Sequence, residues 1–260
     1  MLFRSMSWNP QQYLKFSQPR LRPAMDLLAR IPSAEPQRVY DLGCGAGNVT
    51  AALVDRWPGA NIIGVDASAA MLAQAASTLP QLKWVHQALD GWQAERPADV
   101  IYSNAALHWL PDHRRLFPRL VAMLSPGGVL AVQMPRNFSA PSHTLIEATA
   151  RAGPWHGKLA SLLAAAAPVG EPQFYYSLLA PLAASLDIWE TEYLQVLSGE
   201  DPVKEWTKGT WLLQFLERLD PIERADFEAN YALRLRAAYP RRADGITLFP
   251  FRRLFIVLQK

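Results

Sequence analysis

The chain has 260 residues and a mass of 29.0 kDa, half of its residues hydrophobic, enough for one large α/β domain with insertions or for two small domains. The net charge of +3 and pI near 9.1, with arginine pairs scattered at 114–115, 241–242 and 252–253, lack the dense block of a nucleic-acid footprint and suit solvated surface charge or a small anionic partner. A single cysteine, Cys44, excludes an internal disulfide, and no apolar run reaches the roughly 18 residues of a spanning helix, so a soluble cytoplasmic protein with no nucleic acid, membrane or obligate protein partner is expected.

Residues 9 to 30 read as two short helices, broken by Pro19 and Pro23, with Pro10 and Pro19 suited to first turns. Trp8, Tyr13, Leu14 and Phe16 make this segment too apolar for a loose tail. It either packs as a lid over the loop that follows or covers a sheet edge.

That loop, V-Y-D-L-G-C-G-A-G-N-V-T from Val39 to Thr50, reads as strand, turn and helix. Glycines at 43, 45 and 47 allow positive φ and close approach of a ligand, and the helix behind them offers free N–H groups and a positive dipole end. Counting from Gly43, the sixth position is Asn48 where a dinucleotide fingerprint wants glycine, and no Gly-Lys-Ser/Thr follows for a Walker loop. The form D-x-G-x-G-x-G, led by Asp41, instead resembles the first motif of class I S-adenosylmethionine-dependent methyltransferases. A glycine-rich turn of another doubly wound enzyme is the competing reading. Cys44, between two of the glycines, is a packing residue with no neighbouring base to make it a nucleophile.

From 37 to 135 strands and helices alternate, which implies a parallel sheet with right-handed crossovers. The second strand, 61–65, ends in Asp66, and Ser68 caps a helix through Ala70, Met71 and Leu72. Asp66 stands 19 residues beyond Gly47, the spacing of an acid that accepts ribose hydroxyls, with a ligand-free capping aspartate as the alternative. The third strand, 82–87, leads to Asp90, where the class places an acid that accepts from the adenine amino group, with Trp92 able to stack nearby; a solvated loop aspartate competes. The fourth strand, 99–103, runs into Asn104-Ala-Ala-Leu-His-Trp109. Methyltransferases of base amino groups carry Asp/Asn-Pro-Pro-aromatic there, so Ala105, Ala106 and Leu107 disfavour that chemistry. His108 and Trp109 fall at the carboxyl edge of the sheet, where ligands bind in such folds; His108 is either an acceptor contact or a packing residue. Pro111 and Asp112 open a helix over Leu116, Leu120 and Met123, and Ser125 to Gly128 turns the chain into a fifth strand, 129–134.

Beyond Met134 the alternation gives way to helical stretches over 136–185 and 201–239, with strands at 187–196 and 247–258. The fold class expected is α/β, a doubly wound, mostly parallel, Rossmann-like sheet with helical cap insertions. One domain spans 1–260: a core of 31–135, 186–197 and 245–260, an N-terminal helical lid over 1–30, and cap insertions at 136–185 and 198–244.

The stretches Trp8–Phe16, Ser103–Trp109, Met134–His143, Trp206–Thr210 and Leu248–Phe255 carry a more specific likeness, spread over nearly the whole chain: they resemble the bacterial trans-aconitate 2-methyltransferases. The resemblance implies methyl transfer from S-adenosyl-L-methionine to one carboxylate of a small tricarboxylate. It implies cofactor contacts from Tyr13, Asp41, Gly43, Gly45, Gly47, Asp66, Ala67, Asp90, Gly91 and Asn104. For the acceptor it implies His108, Trp109, Arg136, His143, Arg252 and Arg253, with no catalytic residue required beyond a contribution from His108. Arginines suit bidentate capture of the carboxylates that do not react, and because adjacent strand residues face opposite ways, only one of Arg252 and Arg253 faces a given cleft. Trp155, Tyr175, Tyr176 and Lys208 are weaker acceptor candidates. His108 and His113 are five apart and no cysteine pair exists, so no metal is expected. Two other functions stay open: methylation of another acceptor, such as a carrier-bound acid or an RNA, and a non-catalytic homologue that senses the cofactor.

Overall fold

A computed structural model describes residues 17–165 and 167–260, with side chains from Leu21 onward. Its elements in chain order are α1 (Ser17–Ala29), β1 (Arg38–Leu42), α2 (Asn48–Arg56), β2 (Asn61–Asp66), α3 (Ala69–Thr78), β3 (Lys83–His86), β4 (Ala98–Asn104), a 3-10 turn (Leu107–Trp109), α4 (His113–Ala122) and β5 (Leu124–Pro135). There follow α5 (Pro141–Ala152), α6 (His156–Leu163), α7 (Pro172–Leu179), β6 (Ser185–Leu197), α8 (Pro202–Lys208), α9 (Leu213–Leu216), α10 (Pro221–Ala238) and β7 (Thr247–Gln259).

The strands order as β3-β2-β1-β4-β5-β7-β6; the first five are parallel and β7 lies antiparallel against β5. Val39, Ile62, Ile63, Val65, Val100, Ile101, Leu130 and Val132 are buried on strands whose two faces are both covered, which is why these runs read as nearly continuous apolar sequence. The chain steps outward from β1 to β3 and returns to place β4 on the other side of β1, so the carboxyl ends of β1 and β4 flank the point where strand order reverses. Ligands bind at that point in open α/β sheets.

Ser68 caps α3 as its sequence predicts, accepting from the Met71 N–H at 3.4 Å. Two local expectations are corrected. Pro23 does not end a helix: α1 runs through it, because Ala24, Leu27 and Leu28 are buried beyond the proline and Tyr102 Oη donates to the Ala24 carbonyl at 2.9 Å, offsetting the one backbone bond that proline removes. The first of the two expected N-terminal helices lies outside the described residues. Ser125 to Gly128 is not a separate turn but part of β5, accommodated by a register shift against β4 between Ala98 and Val100. A side chain at Gly128 would stand 2.8 Å from the Ala98 carbonyl, so only glycine lets the strand pass there.

The chain groups into two compact units. Among the described residues, one comprises 21–135, 168–191 and 253–260, the sheet with its flanking helices; the other comprises 17–20, 136–165, 167 and 192–252. The sheet unit includes 168–191, most of which the sequence places with an insertion. Tyr175 explains the difference: it is fully buried, hydrogen-bonded to His113 at 2.7 Å and packed on Phe117 with ring centroids 5.1 Å apart. The helical unit has its own core, in which Trp155, Leu159, Trp206, Phe215, Phe227, Tyr231, Phe249 and Phe251 are buried together. Its longest helix, α10, starts with a capping box in which Asp220 accepts from the Ile222 and Glu223 amides and Glu223 accepts from the Asp220 amide.

Candidate active site

The glycine loop joins β1 to α2. Gly43 has φ +75°, and a Cβ there would stand 2.2 Å from the Ala106 Cβ, so the turn after β4 can close on the loop only against a glycine. Gly45, φ +55°, differs: a Cβ on it would meet nothing within 4 Å, leaving that side of the backbone open to a ligand. Gly47 is the N-cap of α2 and supplies no side-chain cap, so the first-turn amides of that helix stay available.

Beneath the loop, Asp41 is 2% exposed, and its Oδ2 accepts from Thr50 Oγ1 at 2.6 Å. Burial pushes its carboxyl up to about 7; the Thr50 hydroxyl pulls the other way and the charge of Asp66 adds to the rise. Asp41 thus ties the end of β1 to the first turn of α2. Asp66, at the end of β2, accepts from the Gly45 N–H at 2.9 Å through Oδ2 and from the Ser68 N–H at 2.8 Å through Oδ1. Each oxygen spends one lone pair on the backbone and keeps another for a hydroxyl donor. Ala67 beside it is exposed, and its carbonyl lies 3.0 Å from His86 Nε2.

Asp90 and Gly91 are exposed, the Asp90 carboxylate accepting from the Gly91 N–H at 2.9 Å. Trp92, expected to stack near a ligand, is instead 2% exposed and packed edge-on against Tyr40 at 5.1 Å, its apolar ring being better placed in the core. At the end of β4, Asn104 Oδ1 is buried with no hydrogen-bond partner among the described residues, and Ala105 turns the chain with φ +53°. A buried acceptor without a donor at the strand-order reversal fits an incoming N–H or O–H group. The 3-10 turn that follows carries buried His108 against Trp109, ring centroids 4.5 Å apart. His113 holds that turn: Nε2 is 3.0 Å from the Leu107 carbonyl and Nδ1 is 2.7 Å from Tyr175 Oη. Burial lowers the His113 pKa, so the ring is neutral, donating to Leu107 and accepting from Tyr175.

The helical unit brings Arg136 and Arg252 together. The Arg136 N–H donates to the Arg252 carbonyl at 3.0 Å, continuing the pairing of Pro135 with Arg253, so the two residues oppose each other and share a face. Arg252 also lies 3.7 Å from Glu192, in a half-exposed pair. Arg253 points the other way: it is 4% exposed, donating to Gln133 Oε1 at 3.3 Å within the sheet unit. His143 is 5% exposed, ringed by Phe138, Trp211 and Phe251, and burial drops its pKa to about 3. The weaker candidates have structural partners: Trp155 donates to the Thr149 carbonyl at 3.1 Å, and Lys208 is paired with Glu228 at 2.6 Å. Tyr175 is in the core and Tyr176 is 61% exposed. Cys44 is buried, its thiol pushed far up by burial and by Asp41 and Asp66, as befits a packing residue. Tyr13 lies outside the described residues.

A family model described as a methyltransferase domain matches residues 39–128. The trans-aconitate 2-methyltransferase of Azoarcus sp. (strain BH72) is 49% identical over 251 residues, covering 96% of this chain and 98% of its own. That of Methylobacterium radiotolerans is 46% identical, covering 97% and 98%. The chain belongs to the trans-aconitate 2-methyltransferase family. Among solved structures, the YcgJ protein from Bacillus subtilis superposes with a TM-score of 0.57 at 16% identity, covering 92% of this chain and 98% of that one. Haemonchus contortus phosphoethanolamine N-methyltransferase 2, solved with S-adenosylhomocysteine, gives 0.52 at 16%, covering 91% and 52%. These likenesses show the fold, the class I methyltransferase sheet. In this member of the trans-aconitate 2-methyltransferase family, sequence reasoning passed over Thr50, the partner of Asp41 in the sheet unit, and the hydrogen-bonded pair Asn137 and Ser142 in the helical unit. Asn137 and Ser142 lie inside the motif M-P-R-N-F-S-A-P-S-H, so their only signal was that two polar side chains fall in a stretch otherwise read for its arginine and histidine.

Proposed function

We propose that this chain transfers the methyl group of S-adenosylmethionine to one carboxylate of trans-aconitate, giving the monomethyl ester and S-adenosylhomocysteine. The observation that carries the reading is the likeness of nearly the whole chain to trans-aconitate 2-methyltransferases, joined to an acid-glycine loop whose Gly45 side is open. S-adenosylmethionine bound there supplies an electrophilic methyl on a sulfonium. Asp66 accepts from the ribose hydroxyls through its remaining lone pairs, Asp90 accepts from the adenine amino group, and Asn104 Oδ1 takes a donor of the amino acid end. Gly43, Gly45, Gly47, Ala67 and Gly91 offer backbone to the same ligand. A cytoplasmic location belongs to the same reading, supported by a lone, free Cys44. The sheet unit, which carries the loop, is the catalytic core in this reading.

A carboxylate with a pKa of about 4 is already ionised at neutral pH, so this acceptor needs no general base. Aligning oxygen, methyl and sulfur can lower the barrier by about 7 to 11 kcal/mol, which makes positioning the main task of the chain. Arg136 and Arg252, on one face, suit the two carboxylates that do not react; a guanidinium on the attacking oxygen would blunt it. His108 and Trp109 line the acceptor end. Arg253, buried against Gln133, supports the sheet and is set aside as an acceptor contact.

The test is methyl transfer from labelled S-adenosylmethionine to trans-aconitate, cis-aconitate, citrate, isocitrate and a malonyl carrier thioester. Strong preference for trans-aconitate is the expected result. Preference for the thioester would move the assignment to a carrier-bound acid, and cofactor binding without product from any of these acids would leave a sensor.

A further inference from the structure

Three polar side chains of the sheet unit lie in a row across β4, β5 and β7. Asn104 opposes Gln133, and Pro135, two residues beyond Gln133, opposes Arg253, so Asn104, Gln133 and Arg253 share one face of the sheet. Asp41 is on the same face, since it opposes Tyr102 and Tyr102 lies two residues before Asn104. The Gln133 carbonyl accepts from the Ala105 N–H at 2.9 Å, in the turn whose Ala106 closes on Gly43. The row therefore stands beside the glycine loop, next to the point where strand order reverses.

Two atoms of this row are buried without a hydrogen-bond partner among the described residues: Asn104 Oδ1, an acceptor, and Gln133 Nε2, a donor. Such a pair is costly unless something completes it. The Gln133 amide gains nothing by turning over. Its Oε1 accepts from the Arg253 guanidinium at 3.3 Å, and a guanidinium has only donors, so a turned amide would set N–H against N–H. Arg253 thereby fixes Nε2 as the end left to bind, and a cation on Oε1 polarises the amide and strengthens Nε2 as a donor. Neighbouring strands run about 4.8 Å apart, so the unmet acceptor and the unmet donor stand one strand spacing from each other. A ligand that completes both carries a donor group and an acceptor group close together. An ammonium and a carboxylate on one carbon, the amino acid end of S-adenosylmethionine, have that arrangement. A tricarboxylate, ionised at neutral pH, offers acceptors alone and would leave Asn104 Oδ1 unmet.

We propose that Gln133 is a cofactor-binding residue: its Nε2 donates to the carboxylate of the amino acid end of S-adenosylmethionine while Asn104 Oδ1 accepts from the ammonium, and Arg253 is the positioning residue that holds the Gln133 amide in the required sense. The proposal rests on the placing of the amino acid end at Asn104. It does not depend on the identity of the methyl acceptor. A buried arginine and glutamine in the middle of a sheet thus have a task that neither strand pairing nor core packing requires of them.

Calorimetry with two ligands tests it: S-adenosylhomocysteine, and methylthioadenosine, which keeps the nucleoside and the sulfur but lacks the amino acid end. The natural chain should bind S-adenosylhomocysteine at least about tenfold more tightly, as for hydrogen bonds to charged groups. In Gln133→Met the affinity for S-adenosylhomocysteine should fall by about tenfold or more, while that for methylthioadenosine changes by less than about twofold. Gln133→Glu keeps a partner for Arg253 but loses the amide donor, and should show the same split, so the result does not hang on an orphaned arginine. Arg253→Met, which frees the amide to turn over, should show it too. A general loosening of the sheet would weaken both ligands alike. An equal loss of both, or an unchanged ratio in any of these three variants, overturns the proposal, as does a natural chain that binds the two ligands equally. If Asn104→Ala weakens S-adenosylhomocysteine alone while the Gln133 variants do not, the amino acid end sits at Asn104 without Gln133, and the proposal fails while the earlier reading holds. If the split is found but trans-aconitate is not methylated, the acceptor assignment fails and the subsite stands.

Discussion

At the scale of single residues, the loop glycines divide by what faces them. Gly43→Ala would drive a Cβ to 2.2 Å from Ala106 in a left-handed conformation, so it should lower stability by about 1 to 3 kcal/mol, read as a drop in Tm without ligand. Gly45→Ala meets nothing within 4 Å and carries only the left-handed strain of its φ of +55°, about 1 to 2 kcal/mol, so it should lower stability less than Gly43→Ala, yet weaken S-adenosylmethionine binding by filling the open side of the loop. The two variants, compared by thermal melting and calorimetry, separate a glycine kept for the fold from one kept for the ligand. Asp66→Ala should weaken cofactor binding by at least about tenfold, since charge-assisted bonds to the ribose hydroxyls are lost; unchanged affinity by calorimetry would contradict the assignment. Arg136→Ala should raise the acceptor KM with little effect on cofactor affinity, and the reverse pattern would remove Arg136 from the acceptor site. These expected roles come from motifs that fix residue types at fixed offsets. Asp41 was legible as an acid but not as a buried one, since its partner Thr50 is named by no motif.

At the scale of elements, the alternation from β1 to β5 and the strands β6 and β7 could be read from periodicity, because each strand's apolar run is a local signal, as is the Ser68 cap of α3. The grouping of 168–191 with the sheet could not. It depends on Tyr175 reaching His113, 62 residues away in sequence, and nothing near either residue announces the pair. Tyr175→Phe would leave the neutral His113 Nδ1 buried without its donor, at a cost of about 1 to 3 kcal/mol. Because His113 also holds the Leu107 carbonyl, the variant should slow methyl transfer as well as lower Tm, by loosening the turn that carries His108. A Tm loss with full kcat would limit the pair to stability. Likewise, the sharing of one face by Arg136 and Arg252 rests on strand register, which sequence alternation alone leaves undecided between Arg252 and Arg253.

For the whole molecule, two buried groups give opposing pH dependences. Asp41 has a carboxyl pKa raised from 3.8 to about 7 in the folded state, so its contribution is fully present below pH 3.8 and is lost as pH rises through 7. His143 is lowered from 6.5 to about 3, so its contribution is present above pH 6.5 and lost as pH falls through 3. Each is worth up to about 4 kcal/mol, and between pH 4 and 6.5 the two slopes oppose each other. Asp41→Asn should leave a Tm that rises from pH 4.5 to 6.5, and His143→Gln one that falls; parallel profiles in the two variants would refute both assignments. The strand order carries a different consequence, for the protein as it is made. β5 waits for β7, paired with it across more than a hundred residues, and the stretch between them includes most of the helical unit. On a ribosome, the first five strands emerge with β5 still an uncovered edge, a template for pairing with a neighbouring nascent chain. The sheet is completed only by a late, long-range step of the kind that slows folding and lengthens dependence on chaperones.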